Sequence, residues 1–414
     1  MMAVLAAAAA MSGSDFALRS GDRVVFYGDS ITEQQRYSAY IEAYVRARLP
    51  GLKISFIGAG WAGDTIYGGS EYWDESGGAI DERIAKDIAP RKPTLVTVML
   101  GMNDAYYSPF KQEWLDTFIK DYGSMLDKMK KAAPKARFCL LSPSPWDDFT
   151  RPPSFPASVK GEGGYNASLV RYGRAIKEEA AKRKHEFVDV NEGMADALAK
   201  AAKEDKETAQ QLISDWIHPD WPGALVMAAV MLESWKAPKD VTRVDVDFAS
   251  GKASAQGAEV NILSGNAWMQ RDFALPFPYD PTDKASALGA KSVGLSEKLD
   301  VQTLTVKGLK PGTWRLRIGG KTVLDASSDS FANGVSLAGI KTPMRDRSLE
   351  VLALVKIKNR LQQARWREVE RHALGRFAAA DQAVTAMQRL EADVIKQIQA
   401  AAKPRWVEWS LSQD

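Results

Sequence analysis

The sequence has one cysteine, three histidines and no excess of charge of either sign. Cys139 has no second cysteine with which to form an intramolecular disulfide, and a cysteine-rich zinc site is excluded for the same reason. Lys and Arg number 55 against 52 Asp and Glu. The net charge of +3 therefore gives no basic face of the kind that nucleic-acid binding requires, and no nucleic-acid partner is expected.

Long hydrophobic runs are also missing. The apolar run at residues 1–11 is too short to span a bilayer, and no other segment is longer, so no integral membrane segment is expected. Ser12-Gly13-Ser14 follows this run, which makes it similar to the apolar part and cleavage region of a secretory signal, although no Lys or Arg precedes it. Residues 1–20 are therefore either a signal-like segment or a disordered extension. The first alternative favours a periplasmic or secreted location over a cytoplasmic one.

The composition is that of a globular chain with more than one domain. Its 414 residues are 45% hydrophobic and 26% charged, and this length is suited to two or three domains. Short β-branched runs alternate with amphipathic helical stretches through residues 21–237, which predicts a parallel sheet covered by helices on both faces. The predicted strands are residues 23–27, 53–57, 94–100, 137–141 and 186–190, and the predicted helices are 37–48, 81–88, 112–132, 165–184 and 223–235.

The pattern changes after residue 237. Alternating runs separated by Gly and Pro predict a small β-rich domain over residues 238–345. Residues 346–414 are predicted to form a helical hairpin and a tail with a final strand at 406–409. The apolar residues expected on the packed helix faces are Leu354, Ile357, Leu361, Val384, Met387, Leu390, Val394 and Ile398. A partner-binding or dimerising coiled coil is the alternative, and the oligomeric state is not predicted.

Chemically useful residues follow the ends of several predicted strands. They lie in Gly28-Asp29-Ser30, Gly58-Ala59-Gly60, Gly101-Met102-Asn103-Asp104 and Asp215-Trp216-Ile217-His218. Ligands of parallel sheets bind outside the carboxyl ends of the strands. Together these segments supply a hydroxyl, a glycine N–H, a carboxamide, a carboxylate and an imidazole, the groups used in acyl transfer. Taken alone, Ser30 or Thr32 would be better explained as a cap of the following helix.

The four segments, in this order, resemble the SGNH (GDSL-type) hydrolases. The resemblance covers residues 23–235, and Ile31 stands where the family's name has Leu. It implies a flavodoxin-like three-layer α/β/α fold, the SGNH hydrolase fold, for a catalytic domain at residues 21–237. Residues 240–414 lie outside it and are similar to C-terminal extensions of some bacterial members.

The resemblance also implies roles for individual residues. Ser30 would be the nucleophile, His218 its general base, and Asp215 the carboxylate that fixes the tautomer of the imidazole. The oxyanion hole would consist of the N–H groups of Ser30 and Gly60 and the side-chain amide of Asn103. At Gly60 the missing Cβ is expected to let the backbone approach the substrate. This mechanism needs no metal and no cofactor.

A second interpretation of the glycine segment was a dinucleotide site. Gly58-Ala59-Gly60-Trp61-Ala62-Gly63 has the spacing G-x-G-x-x-G. That motif requires a helix to begin at once, whereas the glycine pairs at residues 68–69 and 77–78 indicate a loop. Dinucleotide binding is therefore not favoured.

The prediction for function is a serine ester hydrolase that removes acyl groups, in particular acetyl groups, from a carbohydrate or a small-molecule ester. Tryptophans near the predicted site favour a carbohydrate substrate, although they are equally well explained as core residues. They are Trp61, Trp73, Trp146, Trp216 and Trp221. Two alternatives remain. One is an acyl hydrolase of the lysophospholipase or thioesterase type, and the other is a non-catalytic glycan-binding scaffold that functions through residues 240–414.

Overall fold

A computed structural model describes residues 15–69, 78–151 and 164–413. Its N-terminal half is built on a parallel sheet of five strands: β1 (Arg23–Gly28), β2 (Ser55–Gly60), β3 (Leu95–Met99), β4 (Arg137–Leu141) and β5 (Glu186–Val188). Their order in the sheet is β2-β1-β3-β4-β5. This is the doubly wound, flavodoxin-like order, so the predicted sheet is confirmed.

Helices connect these strands. They are α1 (Ser30–Glu33), α2 (Arg36–Arg48), α3 (Ile80–Arg83), α4 (Gln112–Ala132), α5 (Gly164–Arg183), α6 (Val190–Glu204), α7 (Lys206–Ala209) and α8 (Trp221–Ser234). After α3 the chain continues as a π-helical turn, Ile84–Ile88, and a short 3₁₀ turn, Ala89–Arg91. The strand order reverses direction after β2. Right-handed crossovers therefore place α2 on one face of the sheet and the helices between β2 and β5 on the other.

Strand β2 and helix α6 are among the elements that differ from the sequence prediction. Strand β2 begins later than predicted and continues through Gly58–Gly60, because Gly58 pairs with Phe26 and Gly60 with Gly28 in register with β1. Helix α6 was not predicted. The predicted strand at 186–190 stops at Val188, since Asp189 caps α6 by accepting a hydrogen bond from the Glu192 N–H.

The C-terminal half holds two further sheets. Their strands are β6 (Asp240–Asp247), β7 (Lys252–Gln256), β8 (Ala258–Ile262), β9 (Ala267–Asp272), β10 (Val301–Lys307), β11 (Thr313–Ile318), β12 (Lys321–Ser327), β13 (Val335–Ser336) and β14 (Val407–Ser412). One sheet has the order β13-β10-β6-β7 and the other β12-β11-β14-β9-β8. Strand β14 pairs antiparallel with both β11 and β9, and Trp409 on β14 stacks on Trp268 of β9 at 5.6 Å between ring centres.

The remaining helices include the predicted hairpin. They are α9 (Lys284–Ser292), α10 (Leu295–Lys298), α11 (Ser328–Asn333), α12 (Pro343–Ala364) and α13 (Ala380–Ala402). Helix α12 packs against α13 and also against α2 of the N-terminal half. A π-helical turn, Arg365–Glu370, extends α12.

The buried face of α12 is not the predicted one. Ile357 is 46% exposed, and Leu354 and Leu361 are only partly buried. The buried face instead carries the polar side chains of Lys358, Asn359 and Gln362 beside three apolar ones, Val351, Leu352 and Val355. On α13, Val394 and Ile398 are buried as predicted, whereas Leu390 is 50% exposed.

The polar face of α12 covers the open edge of the parallel sheet. Among the described strands, β2 pairs with β1 alone, so its other edge has backbone groups without a strand partner. The side-chain amide of Gln362 accepts a hydrogen bond from the Gly58 N–H at 3.2 Å and donates to the Gly58 carbonyl at 3.5 Å. The Lys358 ammonium donates to the Phe56 carbonyl at 2.9 Å and to Glu42 at 2.7 Å. Polar residues are buried on α12 because they satisfy this edge.

None of the helices in the part of the chain that the structure describes has the length and hydropathy of a membrane-spanning segment.

Candidate active site

Ser30 lies at the carboxyl edge of the parallel sheet. Strand β1 ends at Gly28, and the carboxylate of Asp29 caps α1 by accepting a hydrogen bond from the Ile31 N–H at 3.0 Å. Ser30 is thus the first residue of α1, where a backbone N–H has no acceptor within the helix. Burial raises the pKa of Asp29 to about 7, against the lowering effect of the Ile31 hydrogen bond.

His218 and Asp215 lie beside Ser30. The Oγ of Ser30 is 2.8 Å from Nε2 of His218, across 188 residues of sequence. The other ring nitrogen, Nδ1, is 2.7 Å from Oδ2 of Asp215. The side chain of His218 is 24% exposed, so the imidazole is accessible from solvent. The structure thus places Ser30, His218 and Asp215 in one continuous chain of hydrogen bonds.

The loop between Asp215 and His218 is held in a turn. Oδ1 of Asp215 accepts hydrogen bonds from the N–H groups of Ile217 at 3.0 Å and His218 at 2.7 Å. Trp216 adopts a left-handed conformation with φ of 68°, and its carbonyl accepts from the Asp147 N–H at 2.9 Å. Partial burial works to raise the pKa of Asp215, but the hydrogen bonds from the His218 ring and the two N–H groups outweigh it and lower the pKa to about 2. Asp215 is therefore an anion at neutral pH.

The side chain of Asn103 is fixed in one orientation. Its amide nitrogen donates to the Asp64 carbonyl at 2.9 Å, and its amide oxygen accepts from the Tyr107 hydroxyl at 2.8 Å. A carboxamide has two N–H donors, and the Asp64 carbonyl uses one of them. The second is left for a ligand.

Gly60 ends β2, opposite Gly28 of β1. The structure gives a further reason for a glycine at this position. A Cβ at residue 60 would lie 2.2 Å from the Glu33 nitrogen and 2.5 Å from the Thr32 carbonyl carbon, both in the backbone of α1. Gly60 is needed because β2 packs directly against the helix that begins with Ser30. The next residues, 61–69, form turns and no helix.

A buried ionic cluster lies behind this site and was not predicted. Arg83 is fully buried, and its guanidinium donates to Asp64 at 2.9 and 3.1 Å, to the Ala59 carbonyl at 2.7 Å and to Asp87. Ala59 precedes Gly60, and the Asp64 carbonyl holds Asn103. Burial raises the pKa of Asp64 to about 6, and Arg83 opposes that shift. The cluster thus supports both segments that the sequence assigned to an oxyanion hole.

The C-terminal half contributes to this cluster. Asp87 accepts a hydrogen bond from the indole N–H of Trp366 at 2.7 Å and another from the guanidinium of Arg371. Arg367 forms an ion pair with Glu33 on α1, and its guanidinium lies 3.9 Å from the ring centre of Trp61. No short motif carries these contacts, because Arg83 and Trp366 are 283 residues apart in the sequence.

The tryptophans near the site differ in exposure. Trp61 and Trp146 are only 5% and 3% exposed, so they are core residues rather than faces of a cleft. Trp216 and Trp221 are partly exposed. Trp73 lies outside the described residues.

The region of the chain that contains this site is similar to known proteins. Residues 26–225 match the model of the GDSL-like lipase/acylhydrolase family. An acetylxylan esterase from Geobacillus stearothermophilus is 24% identical over 234 residues, which cover 51% of this chain and 93% of that protein. A solved structure of an acetylxylan esterase from the same organism is 24% identical, covers 53% of this chain and 96% of its own, and has a TM-score of 0.41.

A second solved structure is similar over both halves of the chain. A gut microbial diltiazem-metabolizing enzyme is 24% identical and covers 96% of this chain and 98% of its own, with a TM-score of 0.77. The two proteins therefore share their fold, including the C-terminal sheets and hairpin.

These findings define the class of protein as an ester hydrolase with the SGNH fold, as the sequence predicted. Residues 26–225 thus match a GDSL-like lipase/acylhydrolase domain. The roles of individual residues and the substrate remain predictions.

Proposed function

We propose that Ser30, His218 and Asp215 are the catalytic triad of this esterase, and that the enzyme works through an acyl-enzyme. Two short contacts of the His218 ring support this most directly. Nε2 lies 2.8 Å from the Ser30 hydroxyl, and Nδ1 lies 2.7 Å from the Asp215 carboxylate. A serine alcohol is a weak nucleophile until a neighbouring base removes its proton. The ionised carboxylate of Asp215 holds the Nδ1 proton of the ring, which leaves Nε2 as the base.

The proposed reaction has two halves. Oγ of Ser30 attacks the ester carbonyl while Nε2 of His218 takes the hydroxyl proton. The imidazolium then returns that proton to the leaving alcohol as the ester C–O bond breaks, which leaves an acyl-serine. Water attacks the acyl carbon with Nε2 again as the base, and the proton passes back to Oγ as the acid leaves.

The oxyanion of each tetrahedral intermediate would accept hydrogen bonds from the N–H groups of Ser30 and Gly60 and from the free amide N–H of Asn103. Their strands β1, β2 and β3 are neighbours in the sheet. Donors that are already fixed in place cost no reorganisation when the negative charge develops. The contacts of Asn103 with Asp64 and Tyr107 supply this rigidity.

The substrate we propose is an acetylated carbohydrate or a small-molecule ester. The similarity to an acetylxylan esterase over most of that protein's length supports an acetylated sugar. Trp216 is partly exposed and lies two residues before His218, which suits it to contact with a sugar ring.

The triad is tested by Ser30→Ala. We expect kcat for p-nitrophenyl acetate to fall about 10⁴-fold, and a fluorophosphonate probe to label the wild type at Ser30 and not the variant. Ser124→Ala, on the exposed face of α4, is the matched control and should leave both readouts unchanged. Unchanged hydrolysis in Ser30→Ala would contradict the proposal, and glycan binding without labelling of the wild type would favour the non-catalytic scaffold.

The oxyanion hole is tested by Asn103→Ala. Loss of one preformed donor should lower kcat by about 10²–10³-fold with little change in KM. Tyr107→Phe removes only the hydroxyl that orients the amide, so its loss should be below about tenfold. A loss in Asn103→Ala smaller than that of Tyr107→Phe would remove Asn103 from the oxyanion hole.

A further inference from the structure

A cleft of about 380 Å³ lies between the Ser30 helix and the C-terminal hairpin. Glu33 and Gln34 line it within about one turn of Ser30, and Trp221 lines it three residues beyond His218. The opposite wall is α12, which supplies Lys356 and Arg360. Its volume is at the small end of the range for ligand pockets.

The cations of this cleft differ from the other cations of the hairpin. Four buried or largely buried ones have carboxylate partners: Lys358 pairs with Glu42, Arg345 with Asp300, Arg367 with Glu33, and Arg371 with Asp87. Arg347 instead donates to the carbonyls of Ala401 and Lys403. In the described part of the chain, no carboxylate lies within ion-pair distance of Lys356 or Arg360.

Neither of these two cations is neutralised by a neighbouring carboxylate in the described part of the chain, and Arg360 is exposed. They are four residues apart on one helix, where like charges repel. The Lys356 ammonium lies 3.4 Å from the ring centre of Trp221 and is half-buried. Burial, together with Arg360, lowers the pKa of Lys356. An anion in the cleft would relieve this repulsion.

A third cation connects the cleft to the catalytic loop. Arg36 lines the cleft and donates from Nη1 to the Pro219 carbonyl at 2.9 Å and to Asp220 at 3.0 Å. Pro219 directly follows His218. The acidic groups at this end are already paired, Asp220 with Arg36 and Glu33 with Arg367. The cleft therefore keeps an excess of positive charge beside the proposed base.

We propose that Lys356 and Arg360 form a subsite for a carboxylate carried by the ester substrate, so that the preferred substrate is an acetylated acidic sugar. This inference rests on the proposed function. It gives α12 a direct part in substrate selection. A carboxylate is the anion that sugars carry most simply, and two cations one turn apart can both donate to its oxygens.

The inference is tested with a charged and a neutral form of one substrate. We expect kcat/KM for an acetylated methyl glucuronoside to exceed that for the corresponding glucuronamide about tenfold. The difference should come from a lower KM for the acid and not from kcat. Lys356→Met and Arg360→Gln should abolish the preference, and Lys356→Arg should retain it. Arg389→Gln, which removes an exposed cation from α13 outside the cleft, is the matched control and should leave the preference intact.

A second measurement identifies the anion. Sodium glucuronate should inhibit hydrolysis of p-nitrophenyl acetate more strongly than glucuronamide does, and the difference should disappear in Lys356→Met. Equal inhibition by the two compounds, together with no preference between the two glycosides, would overturn the subsite. Stronger inhibition by inorganic phosphate than by glucuronate would overturn the carboxylate assignment.

Failure of the subsite and failure of the proposed function give different results. Normal hydrolysis of p-nitrophenyl acetate with no preference for the acid overturns the subsite alone. Hydrolysis that persists in Ser30→Ala overturns the proposed function.

Discussion

Apolar contacts stabilise the parallel sheet, whereas polar contacts hold the hairpin against that sheet. The sheet interior is apolar, with Val25, Val96, Val98 and Leu140 all fully buried. The hairpin contact is instead rich in buried polar groups, which are the Lys358–Glu42 pair, the Gln362 amide on β2 and the Asp87 cluster.

The difference shows what each contact can specify. Apolar burial is strong and has little directionality, so it stabilises the sheet without fixing one partner residue to another. Buried ion pairs add little net stability, yet loss of one partner is costly because the other charge stays buried. The polar contact therefore fixes one position of the hairpin against the edge of the sheet, beside the proposed active site.

The largest effect is expected for Asp87→Ala. It leaves Arg83 without one of its carboxylates and Trp366 without its acceptor, so the free energy of unfolding should fall by about 3–5 kcal/mol. Val98→Ala in the sheet should cost about 2 kcal/mol. Urea unfolding of both variants checks the comparison. A loss for Asp87→Ala no greater than that for Val98→Ala would show that the cluster does not hold the hairpin.

An intermediate effect is expected for the Lys358–Glu42 pair. Lys358→Met should cost about 2–3 kcal/mol, because Glu42 is left buried with Arg46, at 3.2 Å, as its remaining cation among the described residues. The double variant Glu42→Gln, Lys358→Met should recover part of this loss, since the buried charge of Glu42 is gone although Arg46 loses its carboxylate partner. A double-mutant cycle measured by urea unfolding tests this, and additive losses would contradict it.

The smallest effect concerns a buried acid of the N-terminal half, Asp104, which forms no ion pair with the residues that the structure describes. Burial raises the pKa of Asp104 to about 7, although the Ile66 N–H opposes the shift. The folded protein thus holds this proton to higher pH than the unfolded chain, so its contribution to stability falls as pH rises from about 4 to about 7.

Asp104→Asn should remove this pH-dependent loss. The difference in free energy of unfolding between the variant and the wild type should therefore grow by about 2 kcal/mol, in favour of the variant, from pH 5 to pH 8. Thermal unfolding at the two pH values is the measurement. Asp116→Asn on the exposed surface of α4 is the control and should show no such gain. A variant with the same pH dependence as the wild type would show that Asp104 is ionised throughout.

Much of the fold could be predicted from local sequence. Strand β4 and helix α4 have the predicted bounds, since a short apolar run and a long amphipathic period are both local signals. The buried face of α12 could not be predicted, because it depends on the open edge of β2. The hydrophobic periodicity of the sequence predicted that Leu354 and Ile357 lie on the buried face. Such periodicity does not identify polar residues that hydrogen-bond to an exposed strand edge.

The candidate site divides in the same way. Ser30, Asn103 and His218 were found because each follows a strand or stands in a recognisable short motif. The cluster of Arg83, Asp64 and Asp87 has no such motif, and its partner Trp366 comes from the far end of the chain. The reason for Gly60 was also inaccessible from sequence, since it depends on the distance between β2 and α1.

The central position of β14 has a consequence for biosynthesis. This strand joins the β11–β12 hairpin to the β8–β9 hairpin, and it is made of residues 407–412. A nascent chain that has not yet released these residues from the ribosome has two hairpins with bare edges, which are templates for mispairing. Completion of the second sheet therefore waits for the synthesis of residues 407–412, well after its other four strands have been made, and chaperone protection would be needed most in that interval.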